Sequence, residues 1–223
     1  MNTIAIVGAG KGLGIAAARR FGREGLAIAL ISRSPERVAS LAEQLRSEGL
    51  SARGYSANVR DRPSLIAALD SASQDLGPIE VLQYSPLPQK EFLRPVLETT
   101  AEDLIGAFEF SVLGPVAAAH QVLQGMRSLG RGSILFVNGG SGAKPNRNVA
   151  GTSIAFAAEA AFARMLREAV ADDGIQVGQL IIPKGIRDGD PTHDPQVLAD
   201  RLWHLHTHPV EFRIFAEPMP NVS

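Results

Sequence analysis

The sequence predicts a doubly wound α/β fold, with a parallel sheet as the middle layer of a three-layer sandwich. Three observations predict it. Short apolar runs alternate with segments of helical period along the whole chain. The runs are continuously apolar rather than alternating, as strands covered on both faces are. The long loops Ser85–Arg94, Gly139–Gly151 and Lys184–Asp194 all follow the carboxyl ends of predicted strands, where open α/β sheets bind ligands.

Each element has its own signal. Thr3–Val7 is a short apolar run that leads into a glycine-rich turn, and Ile15–Arg23 then has helical spacing. Leu26–Ile31 is too short for a helix and is bounded by Gly25 and Ser32. Ser34-Pro35-Glu36 opens the next helix with a capping serine, a proline in the first turn and an acid near the positive end of the dipole. Ala52–Tyr55 reads as a weak third strand. Asp61–Leu76 is a helix capped by Asp61 and stopped by Gly77-Pro78, before a fourth strand, Ile79–Gln83. Ala101–Leu129 is a long helical stretch with a bend expected at Gly114-Pro115. A turn at Gly130–Gly132 precedes a fifth strand, Ser133–Val137. Ser153–Asp172 is an alanine-rich helix and Ile175–Ile182 the sixth strand. Pro195–His206 reads as a helix and Glu211–Phe215 as a last short strand. No composition shift or repeat divides the chain, so residues 1–223 are expected to form a single domain.

Composition narrows the function classes. A formal net charge of -1 over 223 residues argues against nucleic acid or an anionic membrane as partner. With no cysteine, disulfides, thiolate catalysis and Cys-ligated metal are excluded. The apolar runs are too interrupted to span a bilayer. No charged leader with an apolar stretch precedes the first strand, so no signal peptide is expected. A cytoplasmic protein is the expectation.

Gly8-Ala9-Gly10-Lys11-Gly12-Leu13-Gly14 lies between the first strand and the first helix, the context a dinucleotide site requires. Gly8 permits the tight turn, Gly12 admits the pyrophosphate to the backbone, and Gly14 lets the helix pack close to the strand. The helix N-terminus after this turn offers free N–H groups and a partial positive charge to the phosphates. An NAD-preferring site places an acid at the end of the second strand to hold the ribose 2′-hydroxyl. Here that position carries Ser32-Arg33, and Lys11 lies on the same side. Two cations and a hydroxyl suit a 2′-phosphate, so NADP(H) is the expected cofactor.

These residues resemble the short-chain dehydrogenase/reductase family over nearly the whole chain. Val7–Gly14 is similar to its Thr-Gly-x-x-x-Gly-x-Gly turn, with Val7 for threonine. Asn58-Val59 resembles its adenine-contacting Asp-Val pair, and Pro78–Leu82 resembles the approach to its Asn-Asn-Ala-Gly motif, here Tyr84-Ser85-Pro86-Leu87. Gly132–Leu135 resembles the strand before its catalytic serine, and Pro183-Lys184-Gly185-Ile186 the segment beside the nicotinamide. The resemblance implies a Rossmann-type parallel sheet of about seven strands, a small-molecule substrate, and a homodimer or homotetramer built on the helices Ala101–Leu129 and Ser153–Asp172. Cofactor contacts are thus expected from Gly8, Gly10, Lys11, Gly12, Leu13, Gly14, Ser32, Arg33, Asn58, Val59, Pro183, Gly185 and Ile186.

The family's Tyr-x-x-x-Lys pair falls on Ala155 and Glu159, counted back from the helix Ala160–Leu166, and Ser111 falls where the family often has a relay asparagine. Alanine transfers no proton, and a charged glutamate would repel the acceptor-rich cofactor region. Two readings follow. In one, the protein is an atypical NADP(H)-dependent oxidoreductase acting on a carbonyl, imine or conjugated double bond. Its proton then comes from Ser141, Tyr84, Lys144 or ordered water. In the other, it is a catalytically silent relative that binds the dinucleotide as a sensor or subunit.

Other clusters read more simply. His204-x-His206-x-His208 suits a solvated helix end better than a metal site, since no carboxylate set accompanies it. Asp188-Gly189-Asp190 with Asp194 lacks the rest of a calcium loop. Trp203 is expected in the core or an interface.

Overall fold

A computed structural model describes residues 1–220. Seven parallel strands form one sheet in the order β3-β2-β1-β4-β5-β6-β7. They are β1 (Thr3–Val7), β2 (Ala27–Ser32), β3 (Ala52–Ser56), β4 (Ile79–Tyr84), β5 (Gly132–Gly139), β6 (Ile175–Ile182) and β7 (Arg213–Phe215). Between them run α1 (Leu13–Gly22), α2 (Pro35–Ser47), α3 (Arg62–Leu76), α4 (Ala101–Phe108), α5 (Gly114–Leu129), α6 (Ala150–Ala169) and α7 (Pro195–Thr207).

The period of the strands splits the core in two. In β1 and β2, Ala5, Val7, Ala29 and Ile31 pack on one face with α3, α5 and α6. Ile4, Ile6, Ile28 and Leu30 pack on the other with α1, α2 and α7. Both layers are fully buried, which is why these strands read as continuous apolar runs. The helix starts follow their caps. Ser34 accepts from the Arg37 N–H at 3.2 Å and Asp61 from the Ser64 N–H at 3.2 Å. Thr100 and Asp103 form a reciprocal capping box. Each such cap contributes about 1 kcal/mol.

The long helical stretch is divided rather than bent. Glu109–Leu113 forms one π-helical turn between α4 and α5. Its cause is Pro115, which has no N–H and would clash with the carbonyl four residues back in an unbroken α-helix. Gly114 donates instead to the Glu109 carbonyl, five residues back. In that register the Phe110 carbonyl would face Pro115 and find no donor. Other boundaries move by up to three residues: α1 begins at Leu13 rather than Ile15, β5 extends over Gly132–Gly139, α6 spans Ala150–Ala169 rather than Ser153–Asp172, and β7 begins at Arg213 rather than Glu211.

The strand order reverses between β1 and β4, which lie side by side at the centre of the sheet. The glycine turn after β1 and the long loop after β4 leave the sheet together at that point, where this architecture opens a crevice.

Candidate cofactor and substrate site

A cavity of about 1880 Å³ lies over the carboxyl ends of the strands. Its walls are the glycine turn, the start of α2, the loops after β4 and β5, and Ile182–Ile186 after β6. All three loops flagged in the sequence contribute to it.

The turn shows why glycine is needed at different positions for different reasons. Gly8 has φ +93°, and a Cβ there would lie 2.4 Å from the Pro86 Cα. Its N–H and that of Ala9 donate to the Ile31 carbonyl at 2.9 and 3.0 Å, tying the turn to β2. A Cβ on Gly14 would meet the Ala9 Cα at 3.0 Å, so Gly14 allows α1 to approach the strand. Gly10 and Gly12 are different: a Cβ on either would meet nothing within 4 Å. Their open faces leave space beside the backbone at the N-terminus of α1, the space a pyrophosphate needs.

The sequence-predicted cofactor residues come together with one exception. Gly8, Gly10, Lys11, Gly12, Leu13, Gly14, Ser32, Arg33, Val59, Pro183, Gly185 and Ile186 all border the cavity. Asn58 does not; its Oδ1 accepts from the Arg60 N–H at 3.2 Å and shapes the turn into α3. Arg37 also borders the cavity, beside Ser34 and Arg33, and was not anticipated. Its position one helical turn beyond Arg33, on the first turn of α2, is the signal that could have found it.

The three candidate proton donors separate. Ser141 and Lys144 line the cavity; Ser141 Oγ donates to Thr152 Oγ1 at 3.3 Å, and Lys144 Nζ donates to the Pro220 carbonyl at 3.5 Å. Tyr84 is corrected. It is only 2% exposed and lies outside the cavity wall. Its hydroxyl donates at 2.6 Å to the Phe110 carbonyl, the group that Pro115 leaves without a partner. Burial, and then the charge of Glu159, push the phenol well above its ordinary range. Tyr84 therefore completes the π-helical turn, and its proton is held away from the cavity.

The buried polar residues form a chain that pattern reading did not reveal. Arg213 Nε donates to Gln179 Oε1 at 2.7 Å. Gln179 Nε2 donates to Asn138 Oδ1 at 2.6 Å. Asn138 Nδ2 donates to Glu159 Oε1 at 3.1 Å. Asn138 lines the cavity; Glu159, 1% exposed, sits behind it. Burial pushes the Glu159 carboxyl up to about 8, against a smaller lowering by the Asn138 hydrogen bond. The available signal was an acid between Ala155 and Ala163 on one face of an alanine-rich helix.

The remaining clusters lie elsewhere. His204 and His208 stack with ring centroids 4.1 Å apart, while His206 Nδ1 bonds Ser133 Oγ at 2.8 Å. Trp203 packs edge-on against Phe21 at 5.1 Å under α7. Asp190 accepts from the backbone of Thr192 and His193, which holds its carboxyl well below the usual range and stiffens the loop before α7. Ser111 is buried within the π-helical turn.

Known proteins share this fold. Among curated relatives, the 2,3-dihydro-2,3-dihydroxybenzoate dehydrogenase of Bacillus subtilis is 27% identical over 173 residues, covering 77% of this chain and 65% of that enzyme. The chain thus spans just under two thirds of that relative's length. A short-chain dehydrogenase from Rhodopseudomonas palustris superposes with a TM-score of 0.85 at 23% identity, covering 98% of this chain and 99% of that one. A metagenomic short-chain oxidoreductase in complex with NADP superposes with a TM-score of 0.85 at 16% identity, over 98% and 97% of the two chains. The short chain dehydrogenase family model matches residues 2–189, from β1 through the loop after β6. That stretch carries the glycine turn, the sheet reversal and most of the cavity wall, and the chain belongs to the short-chain dehydrogenase family.

Proposed function

We propose that the protein is an NADP(H)-dependent oxidoreductase of a small organic substrate. The observation that carries this reading is the make-up of one end of the cavity. The open Gly10 and Gly12 backbone leads to a rim of Ser32, Arg33 and Arg37, with Lys11 alongside and no acid among them. Guanidinium and ammonium groups recognise a phosphate monoester, and the end of β2, where an NAD-preferring site carries an acid, holds Ser32 and Arg33 instead. The NADP held by the metagenomic oxidoreductase of the same fold supports the reading.

Bound NADP(H) supplies or accepts hydride. The chain does the rest. The turn and α1 N-terminus would hold the pyrophosphate, Val59 would lie against the adenine, and Pro183–Ile186 would flank the nicotinamide end. The proton for a carbonyl, imine or conjugated double bond comes from Ser141 or Lys144, or from water ordered beside them. We place this activity in a single-domain, cytoplasmic homo-oligomer. Exposed Ile105 on α4 and Ile154 and Met165 on α6 support contact between copies along these helices. Among the described residues, no helix is long and apolar enough to cross a membrane.

A second reading, a catalytically silent dinucleotide-binding relative, is favoured by Ala155 and Glu159, both buried and counted onto the family's tyrosine and lysine positions by the resemblance. One experiment separates the two: NADPH and NADH titrated by fluorescence, followed by turnover against ketones, imines and enones. Turnover of any class supports the enzyme. Tight NADPH binding with no turnover across the panel supports the silent relative. Binding of neither nucleotide removes both.

A further inference from the structure

We propose that Glu159 is a positioning residue whose neutral carboxyl fixes the Asn138 carboxamide in the cavity wall, and that its ionisation loosens the NADP(H) site. The proposal rests on the NADP(H) reading for its ligand, but its geometry stands apart from it.

The direction of the buried chain is dictated from one end. Arg213 only donates, so Gln179 must turn its oxygen toward it. Gln179 then offers its N–H to Asn138, whose oxygen must accept. That leaves Asn138 Nδ2 for Glu159. Both amides are oriented with no freedom to flip, and the last acceptor needed is a carbonyl-like oxygen. A neutral carboxylic acid supplies it without burying a charge.

The surroundings of Glu159 favour that neutral form. On its own helix the residues one turn away, Ala155 and Ala163, are apolar and fully buried. From β4 it faces the Tyr84 phenol, which stays protonated. From β5 and β6 it meets the neutral Asn138 and, behind it, Gln179. The cation on β7, Arg213, is two amides away, and Arg164 bears on Arg213 and not on Glu159. Among the described residues no cation stabilises the ionised form of Glu159.

An ionised Glu159 would therefore need water, and Asn138 is the polar side chain that joins it to the cavity. Hydrating the carboxylate moves the Asn138 carboxamide, which begins the wall continued by Gly139, Gly140 and Ser141. This wall stands against Pro183: a Cβ on Gly140 would lie 3.1 Å from the Pro183 Cα. The residues flanking the nicotinamide end and the carboxamide are thus mechanically joined, and disturbance of one reaches the other.

The test uses the intact protein at pH values from 6.5 to 9.5. NADPH affinity is measured by nucleotide fluorescence for the parent and for Glu159→Gln, in which the amide oxygen preserves the acceptor and the charge is absent. The side-chain amide resonance of Asn138, assigned by its loss in Asn138→Ala, is followed over the same range by ¹⁵N NMR. In the parent, NADPH binding weakens roughly tenfold as pH rises, the equivalent of one lost hydrogen bond, and the resonance moves with it. In Glu159→Gln both profiles are flat. Parallel pH profiles in parent and variant, or an Asn138 resonance that does not titrate in the parent, would overturn the proposal. If no variant binds NADPH at any pH, the functional reading fails. The Asn138 resonance then decides the positioning role alone.

Discussion

Replacing Tyr84 by phenylalanine separates a structural tyrosine from a catalytic one. The substitution removes one oxygen and keeps the ring. In the parent, that oxygen donates at 2.6 Å to the Phe110 carbonyl, which lies in the π-helical turn opposite a proline. Pro115, opposite it in the π-helical register, has no N–H to give, and Tyr84 and Phe110 are 2% and 3% exposed, so loss of the hydroxyl leaves that carbonyl buried without its donor. An unsatisfied buried acceptor costs about 1–3 kcal/mol. For a chain of this size each kcal/mol lowers the melting temperature by about 2–4 °C, so Tyr84→Phe should melt about 2–12 °C lower. Circular dichroism measures that shift. NADPH affinity should stay within about twofold, because the hydroxyl does not face the cavity. A variant with unchanged melting temperature and lost NADPH binding or turnover would refute the reasoning. It would place the Tyr84 hydroxyl back in the site.

The other predictions address the glycine turn, the phosphate rim and the buried acid. Gly8→Ala forces a left-handed backbone on alanine and drives its methyl against Pro86; urea denaturation should show a loss of about 2–4 kcal/mol. Gly10→Val meets open space, so stability should change by about 0.5 kcal/mol or less while NADPH affinity, read by fluorescence, falls at least about tenfold. Arg33→Asp should weaken NADPH more than NADH; equal losses would show that Arg33 does not read the 2′-phosphate. Glu159 carries a pH signature of its own. Its folded-state value is about 8 against an ordinary 4.5, so its contribution is fully present below about 4.5 and is lost as pH rises through about 8. Urea denaturation from pH 5 to 9 should show parent stability falling by at most about 1.4 kcal/mol per pH unit over that window, and Glu159→Gln should lack the slope.

The parts of this molecule that follow from local chemistry were legible in the sequence. The strands announced themselves because both faces of β1 and β2 are buried, leaving no polar position to interrupt the runs. Ser34 and Asp61 marked helix starts because a capping oxygen acts within three residues. The glycine turn was legible because each glycine answers a separate backbone demand. What escaped required contacts distant in sequence. Tyr84 looked like a donor because its position at the carboxyl end of β4 is near the crevice; only the Phe110 carbonyl, 26 residues on, explains its hydroxyl. The Arg213–Gln179–Asn138–Glu159 chain links four elements across up to 41 residues between bonded partners, and no periodicity records that. The π-helical turn was half legible: proline predicted a disturbance at the right place but not its form.

The contact between Gly8 and Pro86 has a practical consequence for anyone redesigning what this protein accepts. Loops after the central strands are the usual place to graft new selectivity, since they tolerate exchange without disturbing the layers beneath. Here the loop after β4 does not start as a free segment. Ser85 donates its N–H to the Val7 carbonyl at 2.9 Å, and the Pro86 backbone occupies the space a side chain on Gly8 would fill. A graft that replaces residues 85 and 86 would therefore rebuild the phosphate turn along with the substrate wall. Exchange beginning at Leu87, which is 87% exposed, leaves that seam whole and lets substrate choice be altered independently of the nucleotide.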